Sequence, residues 1–152
     1  MNGKEIYFQK WNSISEDKKS YFENIYSSIA DILDEMRKLK MWRGSKDEIK
    51  EKFRLVLDKI CKRLGFTTPS LEFGALPFGA FGYCDRFRNR IVISKPSVIT
   101  LFHELLHYID SGLTELEVRL FSIEIYRRTY PKLFEKVNIV WEFDLPFVFK
   151  RR

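Results

Sequence analysis

The apolar residues of this chain keep helical time in some stretches and alternate in others. Phe22, Ile25, Ile29, Ile32, Leu33 and Met36 recur three and four apart, the spacing of one helix face. Ser13 with Glu16 predicts a capping box at the start of that helix, and Trp42-Arg43-Gly44 predicts its end near Lys40. Residues 1–13 carry no such rhythm and read as an irregular, aromatic-bearing lead-in. A second helix opens at Ser45 and Glu48, another capping-box pair, and carries Ile49, Phe53, Val56, Leu57, Ile60 and Leu64 on its buried stripe. Gly65 supplies the left-handed conformation that commonly ends a helix.

After Thr67-Thr68-Pro69 the pattern changes. Leu71–Ala75, Phe81–Cys84 and Arg90–Ser94 read as short strands, the last two joined by a polar turn at Asp85–Asn89. Gly74, Gly79 and Gly82 stand where a backbone can approach something closely. Helical spacing returns behind Lys95-Pro96-Ser97, with proline in the first turn, through Val98, Leu101, Phe102, Leu105, Leu106 and Ile109 to a stop at Ser111-Gly112. Thr114 and Glu117 open a fourth helix carrying Leu116, Leu120, Phe121, Ile123 and Tyr126, which ends before Pro131. The tail, with Val140-Trp141-Glu142-Phe143 and Pro146-Phe147-Val148-Phe149, has strand-like composition but no clear place. These elements predict an α+β fold in a single domain over 1–152. Its parts are a helical region (1–65) with two helices, a core (66–130) built on a small, mostly antiparallel sheet, and an aromatic tail (131–152).

Composition narrows the function classes. Of 152 residues, 45% are hydrophobic, enough for a core, and this excludes disorder as the main state. The N-terminus lacks a signal-like apolar run, and no apolar stretch approaches the ~18 residues of a membrane span, so the expectation is a cytoplasmic protein without a membrane partner. The net charge of +6 permits a nucleic-acid partner, most densely at Arg37–Lys46, although a solvated helix end explains that cluster as well. Two cysteines, Cys61 and Cys84, make neither a disulfide framework nor a thiolate zinc site.

Both histidines lie in one pentapeptide, His103-Glu104-Leu105-Leu106-His107. On a helix, positions i and i+4 share a face, so the two imidazoles point the same way at the separation needed to hold one zinc ion. Glu104 is offset from them and placed to act on water: zinc lowers the pKa of a bound water, and a neighbouring carboxylate can take its proton. A catalytic zinc takes a third protein ligand, here an oxygen from Asp110, Glu115 or Glu117. Asp110 can instead support a ligand histidine, and Glu117 is already explained as the capping-box partner of Thr114, which puts Glu115 first, Glu117 second and Asp110 third.

These residues resemble the gluzincin-type zincin metallopeptidases, in particular the small ImmA/IrrE-like group. The likeness lies in Gly79–Tyr83, Asn89–Ile93, His103–Tyr108 and Glu115–Phe121. It implies a minimal zincin core, Zn2+ held by His103, His107 and Glu115, Glu104 as catalytic base, and a peptide or protein substrate. It also implies an edge strand, Phe81-Gly82-Tyr83-Cys84 or its hairpin partner, that pairs with the substrate backbone. Arg119 departs from the family pattern, standing where relatives often place Asp or Asn, and the interval from His107 to Glu115 is short. Tyr83, Tyr108 and Tyr126 are candidate oxyanion donors. A zinc-binding regulatory protein on the same scaffold, or a metal hydrolase of a non-peptide substrate, would use the same residues.

Overall fold

A computed structural model describes residues 1–150 and shows an α+β protein. Three helices come first: α1 (Gly3–Asn12), α2 (Glu16–Lys38) and α3 (Lys46–Leu64). The irregular lead-in expected over 1–13 is therefore a helix, and the helical region has three helices rather than two. Its weak apolar rhythm reflects how little of α1 is buried. Only Tyr7 is fully enclosed, and the helix is held by contact with a strand far along the chain. Because Ser13 closes α1, with its hydroxyl donating to Gln9 O at 2.8 Å, it is not available to start α2. Ser15 does so, accepting from Lys18 N. The expected pair at Ser45 and Glu48 is a complete capping box, and Gly65 ends α3 at φ +81°.

A three-stranded sheet follows, formed by β1 (Ser70–Phe73), β2 (Gly82–Asp85) and β3 (Arg90–Ile93) in the order β1-β3-β2. β2 pairs with β3 antiparallel, across the predicted turn, whereas β1 runs parallel to β3. The sheet is thus mixed rather than mostly antiparallel. The chain between β1 and β2 carries β2 to the far side of β3, leaving the central place to the last strand made. Phe81 lies just outside β2 and contributes its carbonyl, which accepts from Ser94 N at 2.8 Å. The two sheet edges are unlike. Arg54 on α3 donates to Leu71 O and so covers β1, while β2 borders a cleft.

The remaining elements are α4 (Val98–Ile109), α5 (Glu115–Thr129), α6 (Pro131–Glu135), β4 (Val137–Glu142) and β5 (Leu145–Lys150). Ser97 caps α4, which leaves Pro96 just before the helix instead of in its first turn. α4 lies on β2 and β3; α5 touches α2, α4, α6 and β5. Within the aromatic tail, β4 and β5 form an antiparallel hairpin against α1 and α5. Gly3 makes this docking possible, since a Cβ there would fall 1.6 Å from Ile139 O on β4. The core joins all these parts, with Phe22, Phe53, Phe102, Phe121, Ile91 and Ile93 fully enclosed. No helix among the described residues is long and apolar enough to cross a membrane.

Candidate metal centre

α4 is amphipathic in an unusual sense: Leu101, Phe102, Leu105 and Leu106 face the core, and its other side forms the floor of a cleft. His103 and His107 emerge there one turn apart, with their Nε2 atoms 3.2 Å from each other. The turn after Ile109 folds α5 back so that Glu115, its first residue, meets both rings. Glu115 Oε1 is 3.0 Å from His103 Nε2, and Oε2 is 2.9 Å from His107 Nε2. A tetrahedral ion about 2.0–2.2 Å from three such donors would hold them roughly 3.3–3.6 Å apart, within a few tenths of an ångström of this spacing. The donor set of two imidazoles and one carboxylate also suits a divalent metal with an open position. Hydrogen bonds from His103 and His107 hold the Glu115 carboxyl well below the usual range, and the bond to Glu115 raises His107.

The other two oxygen candidates are engaged elsewhere. Asp110 accepts from Gly112 N at 2.8 Å in the turn and from the Tyr21 hydroxyl; burial and that bond push Tyr21 up to about 12. Glu117 accepts from Thr114 N at 2.8 Å, completes the capping box, and pairs with Lys18. Helix spacing alone could not separate these three carboxylates; the chain reversal at residues 110–114 does, by aiming Glu115 at the histidines.

Glu104 lies beside this group with 5% of its surface exposed. Its Oε1 is 4.0 Å from His103 Nε2, and its Oε2 is buried without a hydrogen-bond partner. Burial raises its carboxyl, against the lowering effect of the two histidines. β2 crosses directly above. A Cβ on Gly82 would stand 3.0 Å from Glu104 Cγ and from Thr100 Cγ2, so glycine lets the strand lie this close without pushing those side chains aside. Gly74 and Gly79 approach nothing comparable.

The cleft has a volume of about 710 Å³. Phe81, Gly82, Tyr83 and Cys84 form one wall. Burial, together with the nearby Glu104 charge, pushes the Cys84 thiol up to about 11, which keeps it neutral. Tyr83 also lines the cleft, with its hydroxyl bonded to the Arg90 guanidinium. Tyr108 points elsewhere, donating to Thr67 O at 2.8 Å, and Tyr126 is buried beside Tyr130, outside the lining. The opposite wall is the tail hairpin, through Pro146, Phe147, Val148 and Phe149, a position no local pattern announces. Arg119 joins that wall to Glu115, and Lys95 adds a further cation. Comparison of the chain with family models, with curated proteins and with solved structures finds no match.

Proposed function

We propose that this protein is a zinc-dependent peptidase of the zincin kind, with His103, His107 and Glu115 as ligands and Glu104 as general base. One observation carries the reading. A buried carboxylate with a free oxygen stands next to three donors that converge on one point at the floor of an open cleft. A divalent metal held there supplies the Lewis acidity that activates water and polarises a carbonyl. Glu104 takes a proton from the attacking water and delivers it to the leaving amine. The edge of β2 receives an extended peptide backbone, and Gly82 lets β2 itself lie close over Glu104.

The test begins with metal content, by elemental analysis and by titration of metal-free protein with zinc. Stoichiometric binding that is lost in His103→Ala and His107→Ala is expected. Glu104→Gln should keep the metal and lose hydrolysis of a peptide mixture by about 10²–10⁴-fold, the usual reach of general-base catalysis. Unchanged hydrolysis in Glu104→Gln would refute the mechanism.

A further inference from the structure

Arg119 touches the metal constellation with one side and the C-terminal hairpin with the other. It stands one turn beyond Glu115 on α5, and its Nε donates to Glu115 Oε1 at 3.0 Å. Nη1 donates to the carbonyl oxygen of Pro146 at 3.2 Å, and the guanidinium lies 4.3 Å from the centre of the Phe147 ring. A planar fork seated on three groups has little rotational freedom, which a lysine ammonium in the same place would retain. Glu115 needs such a partner. Its side chain is 41% exposed at the first position of a helix, and a free glutamate there would have other rotamers open to it in water.

We propose that Arg119 is a positioning residue that holds Glu115 toward both imidazoles and registers the β5 wall of the cleft to the metal centre. Two consequences follow from the geometry. Removing the guanidinium releases Glu115 and lowers metal affinity, because the hydrogen-bond partners of metal ligands set ligand orientation. It also separates the hairpin from the site, so metal binding and hairpin order, coupled in the native protein, become independent. The departure of residue 119 from Asp or Asn then has a physical role. The cation serves the carboxylate ligand and the hairpin, where a carboxylate or amide at this position would offer neither contact in this form.

This inference rests on the metal-site reading and not on peptide hydrolysis, and its test is read without turnover. Metal-free wild type, Arg119→Ala, Arg119→Met and Arg119→Lys are titrated with Co2+, following affinity and the visible absorption of the bound ion. Arg119→Ala should bind about 10- to 100-fold more weakly with an altered spectrum, and Arg119→Lys should recover only part of the loss. Amide hydrogen exchange at Phe147 and Val148 should slow on adding Co2+ to wild type and stay unchanged in Arg119→Ala. If Arg119→Ala does not fold, Arg119→Met keeps an unbranched side chain without the guanidinium and carries the same expectation. Affinity within about twofold of wild type, with an unchanged spectrum, in the folded variants overturns the proposal. A wild type that binds no Co2+ overturns the metal site as well, whereas binding without hydrolysis overturns only the peptidase reading.

Discussion

Glu124 on α5 and Glu104 on α4 are both buried, yet their surroundings treat them in opposite ways. Glu124 accepts from the Tyr7 hydroxyl at 2.7 Å, from Arg127 Nε at 2.8 Å and from Arg128 Nε at 2.7 Å. Arg128 continues to Glu23, so the network ties α1, α2 and α5 together. Burial pushes the Glu124 carboxyl up, but these hydrogen bonds outweigh it and leave the group below the usual range. Glu104 has no such support; burial dominates, its carboxyl is raised, and Oε2 lacks a partner. A fully paired carboxylate is a structural fastener. A buried carboxylate with one unpaired oxygen, beside a candidate metal site, has the arrangement that the proposed general base needs.

The sharpest way to break this contrast is to remove each carboxylate in turn. Glu124→Ala should cost about 3–5 kcal/mol of stability in urea unfolding, since it strips the shared partner from a buried network. Glu104→Gln of the metal-free protein should stay within about 1 kcal/mol of wild type, because the amide replaces a charge that burial already disfavours. Equal losses would abolish the distinction. A smaller effect is expected from Gly82→Ala, at about 1–3 kcal/mol, because its methyl group would crowd Glu104, Thr100 and the Val92 carbonyl. Hydrolysis should fall in that variant even where the fold survives.

Tyr7→Phe removes one hydrogen bond to the Glu124 carboxylate and should cost about 1.5–3 kcal/mol if that bond has the strength of other charged ones. The pH dependence sharpens the comparison further. With its folded pKa depressed, Glu124 contributes stability that is fully present above the unfolded value and is lost as pH falls from about 5 through the folded value. Unfolding midpoints measured down the acid limb should therefore drop less steeply in Glu124→Gln than in wild type. Parallel slopes would show that Glu124 does not carry this loss.

Much of the candidate site is legible along the chain because it is built from short-range geometry. His103 and His107 share a face by the pitch of the helix, and the capping boxes at Ser45 and Thr114 each span four residues. The helix α1 is not legible in that way. Its single buried side chain leaves almost no stripe, and its place depends on Gly3 meeting Ile139 across the fold. The parallel pairing of β1 with β3 is equally silent, since strand rhythm shows which residues pair with some neighbour but not with which one.

By itself the sequence determined the shared face of His103 and His107 on α4, the strands flanking it and an α+β composition, because each follows from periodicity and capping within a few residues. Capping ranked Glu115 ahead of Glu117 and Asp110, but only tertiary structure brought it against both histidines, left Glu104 Oε2 unpaired, and brought the hairpin at Pro146 and Phe147 to Arg119. Those outcomes depend on how a chain reversal and distant segments meet, and a carboxylate's role is set by the partners that arrive around it.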